Sequence, residues 1–331
     1  YPSLEPSFQP FLTISNFNTF IMKYAYLISG LLLLAACEFE IQPELAEPEE
    51  LMVVDAFLND RADRQVINIT RSQPYFDDSE PEMISGLNIT LYDLTVDLEY
   101  PFTEGDRCYY LDTNDPVGVV GHNYRLVVES PSETFEAHAT MNRVPSIDSI
   151  GYEFNEANFL VDQDHFTAQF YAVDPKGVGD CYWIKGWKNG VYFNKPEELN
   201  MAYDASVSPG QPIDGQLFVF PVRAGFINPY GDDSDPESTE MVPPYEVGDS
   251  LYVEIHSIDR AAFDFLYALY FQINRAGGFG EIFSSPLSNV STNIKSTNPG
   301  STTNVAGFFN MSAISSAGRR LTTEVADQGQ I

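Results

Sequence analysis

Apolar and polar residues alternate in many short runs along this sequence, and this pattern favours a fold built mainly from β-strands. Between residues 51 and 143, turn-forming residues separate about seven such runs, a spacing typical of immunoglobulin-like β-sandwiches. One of the runs places Leu87, Ile89 and Leu91 on a single face, as a half-buried strand requires. We therefore predict an N-terminal immunoglobulin-like sandwich, although the Cys–Trp–Cys spacing of antibody domains is absent.

A second β-rich lobe is predicted over residues 150–316. Asn189-Gly190 stands between two apolar runs and is the strongest short-range signal for a β-hairpin in the sequence. One segment, about 259–275, departs from the β pattern and predicts a helix with Asp259 as its N-cap. Because its apolar positions wrap most of the way round, we expect this helix to be buried on several sides.

The same helix has an alternative role. Its aromatic edge, formed by Phe263, Tyr267 and Tyr270, would contact a partner or ligand if it faced outward. A core helix that packs against a sheet is the simpler interpretation.

A secretory signal is indicated near the start of the chain. Met22-Lys23 provides a short basic start, an apolar run follows, and Leu34-Ala35-Ala36-Cys37 resembles a bacterial lipobox. The apolar run is shorter than the roughly 20 residues that a membrane-spanning helix needs. We therefore expect cleavage before Cys37 and a covalent diacylglycerol anchor on its thiol, the alternative being an ordinary signal peptide with a chance cysteine.

These observations predict six consecutive segments. They are an upstream over-extension of the reading frame (1–21), a lipoprotein signal peptide (22–36), an acidic tether (37–50), the sandwich (51–143), the β-rich domain with its helix (150–316) and a flexible tail (317–331). The acidic residues of the tether also resemble the surface-export signal of Bacteroidota lipoproteins, which implies display on the cell exterior. A solvated linker is the alternative.

Charge excludes one class of partner. The chain has 48 acidic and 17 basic side chains, and its formal net charge is −31. Nucleic acid would be repelled, because no basic patch opposes the repulsion between the two polyanions. A hydrophobic content of 44% is nevertheless too high for a disordered chain, so we expect folded lobes that are soluble and bind no nucleic acid.

The common catalytic motifs are missing from the sequence. It contains no Gly-x-Ser-x-Gly elbow, phosphate-binding loop, His-Glu-x-x-His or Cys-x-x-Cys motif. The histidines lie singly in strand-like runs, where a structural role is usual. The 48 acidic residues include many pairs that would suit glycoside hydrolysis, but nothing distinguishes one pair. We therefore predict a non-catalytic protein, with a hydrolase that uses an unrecognised carboxylate pair as the less favoured alternative.

An acidic loop is the one candidate for a metal site. Asp233, Asp235 and Glu237 offer the hard oxygen ligands that calcium prefers. The loop does not follow the EF-hand pattern, because Ser238 and Pro244 stand at positions 6 and 12 when Asp233 is counted as the first. A solvated loop is therefore favoured over a calcium site, and no other cofactor is expected.

Cys108 and Cys181 are the thiols that remain beside Cys37. An oxidising compartment would permit a disulfide between them, and independent burial of the two side chains is equally plausible.

Aromatic residues around the predicted hairpin are candidate contacts for a ligand or partner. They are Trp183, Trp187, Tyr192 and Phe193. Side chains of adjacent strand residues point to opposite faces, so Tyr192 and Phe193 cannot both face inward. Rings that face outward would offer a surface for sugar stacking or a partner, whereas rings that face inward would fill the second core.

The order of several motifs resembles one lipoprotein family over about residues 45–316. The motifs are the lipobox, Leu51-Met52-Val53-Val54-Asp55, Val144-Pro145-Ser146-Ile147-Asp148-Ser149-Ile150, the helix before Gly277-Gly278, and Asn293-Ile294 followed by Gly307-Phe308-Phe309. Together they resemble a Bacteroidota outer-membrane family known as a domain of unknown function. Its members are typically encoded beside SusC-like TonB-dependent receptors.

This resemblance implies a non-catalytic outer-membrane protein that assists such a receptor in nutrient binding and uptake. The alternative is a stand-alone glycan-binding or adhesive module at the cell surface.

Overall fold

The structure is a computed structural model. It describes residues 50–74, 77, 79–157, 164–210, 213–228, 243–274 and 289–329. Contacts divide the chain into Tyr1–Pro48 and Glu49–Ile331, and every described residue belongs to the second unit. The described residues form 17 strands and three short helices, so the prediction of a mainly β fold is confirmed.

The first sandwich consists of two five-stranded sheets, with strands numbered in chain order. In spatial order, sheet 1 contains β16 (Val305–Ser312), β1 (Met52–Asn59), β2 (Gln65–Arg71), β6 (Tyr109–Leu111) and β5 (Thr103–Glu104). Sheet 2 contains β15 (Lys295–Ser296), β8 (Thr134–Thr140), β7 (Asn123–Glu129), β3 (Asn88–Asp93) and β4 (Leu98–Pro101). Alternating residues of both sheets, among them Val54, Leu91 and Leu126, meet in one core.

The sandwich includes two strands that the predicted range 51–143 leaves out. β16 pairs in parallel with β1 along the whole strand, and β15 pairs with β8 at the edge of sheet 2. Phe309 of β16 is completely buried in the first core. The first sandwich therefore includes β15 and β16, two strands that lie within the predicted range 150–316.

Two further sheets enclose the second core. Sheet 3 pairs β9 (Ile147–Asn155) with β10 (His165–Ala172). Sheet 4 contains β12 (Val191–Tyr192), β11 (Cys181–Lys188), β14 (Ser250–Ile258) and β17 (Ile314–Arg320), with β13 (Asn200–Tyr203) also paired to β11. A short helix, α1 (Phe220–Arg223), adds Val222 to this core.

The hairpin predicted at Asn189-Gly190 is present between β11 and β12. Both residues have positive φ angles, 51° and 83°, as the tight turns that match strand twist require.

Helix α2 (Arg260–Ile273) confirms the predicted helix but buries only one face. The side chain of Asp259 caps it by accepting a hydrogen bond from the backbone N–H of Ala262 at 2.7 Å. Phe263 and Leu266 pack against residues of sheet 4 and against Phe308 of β16. Tyr267, Phe271 and Ile273 are exposed, so the expectation of burial on several sides was wrong.

The segment 317–331 was predicted to be a flexible tail, and this prediction was wrong for its described part. β17 pairs with β14 along seven residues, and a third helix, α3 (Thr323–Gly329), follows it. Leu321 and Ala326 are buried in the second core. The polar residues of this segment had suggested fraying, but they occupy the solvent side of elements that pack on the core. None of the helices in the described part of the chain is long and apolar enough to cross a membrane.

Candidate ligand-binding site

The four aromatic residues predicted from the sequence divide between the two faces of sheet 4. Phe193 is buried in the second core against Gly186, where an added Cβ would lie only 2.8 Å from the ring. Trp183, Trp187 and Tyr192 lie on the opposite face and are partly exposed. This division follows from the alternation of side chains along a strand, and it agrees with the prediction that Tyr192 and Phe193 point in opposite directions.

Trp187, Tyr192 and Tyr252 form a group of rings that we call the aromatic platform. The ring centre of Trp187 lies 4.9 Å from that of Tyr192 and 5.4 Å from that of Tyr252. β12 and β14 flank β11 on its two sides, and the register places both tyrosines directly opposite Trp187. All three rings are partly exposed, so they present a continuous surface for an apolar or ring-shaped ligand.

Tyr252 is the member of the platform that sequence reasoning missed. Its own run, from Leu251 to Ile255, predicts a strand, but nothing in the sequence tells which strand lies beside β11. Gly318 of β17 stands opposite Tyr252, and a Cβ at that glycine would come within 3.2 Å of the ring. The absence of a side chain there leaves room for the tyrosine.

A network of charged side chains borders the platform. Glu254 pairs with Arg61, with 2.7 Å between Oε1 and Nη1, and the same oxygen accepts a hydrogen bond from the Tyr252 hydroxyl at 3.0 Å. Arg61 also donates from Nη2 to the Tyr252 hydroxyl at 3.0 Å. Because Arg61 follows β1, the network links the first sandwich to the platform.

Lys185 lies between the platform and the interior. Its Nζ is 3.8 Å from the ring centre of Trp183, and the register places it opposite Glu254. Burial lowers the pKa of Lys185, although the charges of Glu254 and Asp55 act in the opposite direction. Phe57 of β1 contacts Trp183 edge to face, at 5.3 Å between ring centres.

His256 forms the buried end of this network. Burial lowers the pKa of His256 to about 4, even though its hydrogen bond to Glu254, 2.8 Å long, favours the charged imidazole. Burial also acts to raise the pKa of Glu254, but the contacts with His256, Arg61 and Tyr252 outweigh it and hold that pKa below its usual value. At neutral pH an uncharged His256 therefore donates to a charged Glu254. An imidazole with so low a pKa is a weak base, which argues against a catalytic role.

The buried imidazole predicts a loss of stability in acid. Between about pH 6.5 and 4 the unfolded His256 gains a proton that the folded residue does not bind, so the free energy of unfolding falls as the pH is lowered. The expected loss over this interval is about 3 kcal/mol. Urea unfolding at a series of pH values measures this loss of unfolding free energy. The His256→Gln variant has no imidazole to titrate and should lack that part of the pH dependence. The same pH dependence in both proteins would contradict the assignment.

A second polar cluster lies away from the platform, and sequence reasoning missed it. Asp174, Asp180 and Asp204 each offer a carboxylate oxygen within 4.8 Å of the others. Asp174 follows β10 and Asp204 follows β13, so the pairing of distant strands brings the three together. Their oxygens suit a hard cation such as calcium. Burial raises the pKa of Asp174, which the nearby charges of Asp180 and Asp204 reinforce.

Hydrogen bonds within the protein already occupy these carboxylates. Arg143 donates to Asp180 from Nη2 at 2.5 Å, and the same guanidinium bonds three carbonyl oxygens of the 175–177 turn. The Tyr182 hydroxyl donates to Asp174 at 2.7 Å. Asp204 accepts from the backbone N–H of Gly179 at 2.7 Å. These hydrogen bonds hold the loop between β10 and β11 in place, and this structural role accounts for the cluster.

The remaining predicted site residues are accounted for as follows. Cys108 and Cys181 are free thiols in the structure, Cys108 half-buried and Cys181 buried. Burial raises the pKa of Cys181 to about 12, which makes this thiol unreactive at neutral pH. Cys37 and the acidic loop with Asp233, Asp235 and Glu237 lie outside the described residues.

Comparisons with known proteins identify the family of the chain. Residues 38–317 match a domain of unknown function, DUF4249. No curated protein and no solved structure matches the chain. Because the match covers nearly all of the sandwich and of sheet 4, the chain belongs to the DUF4249 family.

Proposed function

We propose that this chain is a non-catalytic, lipid-anchored outer-membrane protein that displays its β-sheets on the cell exterior. There it assists a SusC-like TonB-dependent receptor in binding and taking up a nutrient. The lipobox at Leu34-Ala35-Ala36-Cys37 supports the anchor, and the acidic residues after it support the exterior face. The resemblance to Bacteroidota lipoproteins supports the receptor as partner, and this argument is one of association.

The observation that carries the proposal is the aromatic platform. Three partly exposed rings lie side by side on a sheet, which holds them in fixed positions, and Arg61 and Glu254 border them with polar groups. Binding sites commonly combine such a rigid apolar surface with a few charged groups that orient the ligand. His256, the histidine nearest the platform, is too weak a base for acid–base catalysis at neutral pH, so binding fits the site better than turnover.

A stand-alone glycan-binding module is the second candidate. The same platform favours it, because aromatic rings of this size stack on the apolar faces of sugar rings. The two functions differ in whether binding needs the receptor.

Native co-purification tests the proposed function. The anchored protein is expected to retrieve a TonB-dependent barrel from solubilised outer membranes, and mass spectrometry is expected to find an acylated Cys37 at its N-terminus. Trp187→Ala removes the centre of the platform and should reduce the recovered receptor or the bound nutrient about tenfold or more, the effect of losing a central aromatic contact.

Phe220→Ala is the matched control, because Phe220 is an exposed ring on α1, outside the platform. If the chain never retrieves a barrel, the receptor role fails. Binding of the soluble chain to a glycan array without any receptor would instead support the second candidate. Unimpaired binding by Trp187→Ala would show that the platform is the binding surface in neither function.

A further inference from the structure

Two neighbouring loops of the first sandwich expose aliphatic side chains that have no structural role in its core. The side chains are 48 to 51% exposed, and they are Leu94, Val96, Leu98, Val119 and Val120. We call this group the apolar loop patch. Single exposed aliphatic residues are common, but four on two hydrogen-bonded loops, with Leu98 at the start of β4, mark a candidate interaction surface.

Hydrogen bonds hold the two loops together. The backbone N–H of Leu94 donates to the carbonyl of Asn123 at 2.9 Å, and the N–H of Asn123 donates to the Thr95 hydroxyl at 3.0 Å. His122 Nδ1 lies 2.7 Å from a carboxylate oxygen of Asp93, which is buried. The exposure of the patch is therefore a feature of an ordered surface.

An open cavity of about 470 Å³ adjoins the patch. It is lined by Leu94, Asn123, Tyr124, His138, Ala139, Thr140 and Asp259. Leu94 belongs to both the cavity and the patch, so one occupant can contact both. Asp259 is the N-cap of α2, and its carboxylate accepts a hydrogen bond from the backbone N–H of Ala262 at 2.7 Å. The cavity therefore has both apolar and polar walls, and Leu94 joins it to the patch.

The charges around the patch have the same sign. Asp97, Glu99 and Asp115 are exposed in or beside the two loops, whereas residues 93–99 and 115–123 contain no lysine or arginine. An acidic surface repels anionic lipid. It also repels a second copy of a chain whose net charge is −31. The complementary occupant is a partner that places basic side chains next to apolar ones.

The position of the patch agrees with a protein partner. A Cβ at Gly118, beside Val119, would lie 3.1 Å from the Cα of Asp60, just after β1 ends. β1 begins at Met52, and its eight residues span about 26 Å. The patch thus lies at the end of β1 opposite to the one at which the chain enters from residue 50.

From these observations we propose that the apolar loop patch and the adjoining cavity bind a segment of a partner protein in which a leucine or phenylalanine stands beside a lysine or arginine. The apolar side chain covers the exposed valines and Leu94 at the mouth of the cavity, and the basic side chain pairs with the exposed Asp97 or Glu99. This surface uses none of the three platform residues, and the inference does not depend on the proposed function.

Arrayed synthetic peptides test the inference with the full chain as the probe protein. One set pairs leucine or phenylalanine with lysine or arginine, and the matched set replaces each basic residue with glutamate. We expect binding to members of the basic set alone. Val96→Asp should weaken it about tenfold or more. Glu99→Lys, a charge reversal at an exposed strand residue, should weaken the same peptides. Val178→Asp, at a 76% exposed position outside the patch, should leave them unchanged.

Several results would overturn the inference. They are the absence of binding to either set, equal binding to both sets, and equal binding by the Val96→Asp and wild-type chains. Binding to phosphatidylglycerol vesicles that Val96→Asp abolishes would identify lipid as the occupant instead. Dimerisation of the wild-type chain that Val96→Asp abolishes would identify a second copy.

Discussion

Gly307→Ala is expected to prevent stable folding of the first sandwich. Gly307 has a φ of 92°, and its register partner in β1 is Val54. A Cβ at this position would lie 2.0 Å from the backbone oxygen of Val54, which is far inside contact distance. Because the obstacle is backbone within the parallel β1–β16 pair, relief requires the two strands to separate. We expect the free energy of unfolding to fall by about 4 kcal/mol or more.

Gly86→Ala is the control for this substitution. Gly86 also has a positive φ, 76°, but a Cβ there would have no heavy atom within 4 Å. The change should therefore cost only the left-handed backbone strain, about 1 kcal/mol. Urea unfolding followed by circular dichroism measures both variants. Equal losses at the two glycines would show that strain alone, and not the approach to Val54, sets the cost.

Glu254→Gln is expected to destabilise the protein by about 2 kcal/mol, because it removes the charge of a buried carboxylate that holds the partly exposed Arg61. Glu254 is buried and holds Arg61, Tyr252 and His256 through its two oxygens. Glutamine keeps the shape of the side chain but leaves the Arg61 charge without its counter-ion. Chemical denaturation at neutral pH gives the change. Lower affinity at the platform should accompany it, because the amide keeps a single acceptor oxygen for the two donors Tyr252 and His256.

The control applies the same substitution to an exposed pair. Glu80 forms an ion pair with Arg107 in which both side chains are largely exposed. Glu80→Gln should change the free energy of unfolding by less than about 1 kcal/mol. A double-mutant cycle that adds Arg61→Met isolates the coupling between Arg61 and Glu254. A coupling energy near zero would mean that Glu254 acts through His256 or Tyr252 alone.

Features that depend on neighbouring residues were predictable. The Asp259 cap and the apolar spacing after it predict α2, and the structure begins this helix at Arg260. Asn189-Gly190 predicts the hairpin because both residues tolerate positive φ. Alternation also predicts that Tyr192 and Phe193 face opposite sides of a sheet. Each of these signals is confined to a few residues, so no knowledge of distant partners is needed.

Features that depend on which strands meet were not predictable. The run that forms β16 looks like an ordinary late strand, and nothing local tells that it pairs with β1, about 250 residues earlier. For the same reason, the prediction did not place Tyr252 beside Trp187. The cluster of Asp174, Asp180 and Asp204 was missed because its members come from separate loops. A single sequence contains no record of such pairings.

The sequence by itself determined the β-rich class, the hairpin, the start of α2 and the alternation that leaves Trp187 on the face opposite Phe193. All of these follow from backbone preferences and the two-residue period of strands. Only the tertiary structure decided that Tyr252 lies beside Trp187, that Arg61 reaches Glu254 and that Leu94 and Val119 share one exposed surface. Those outcomes depend on packing between residues far apart in the chain, and such packing is selected by the stability of the whole core.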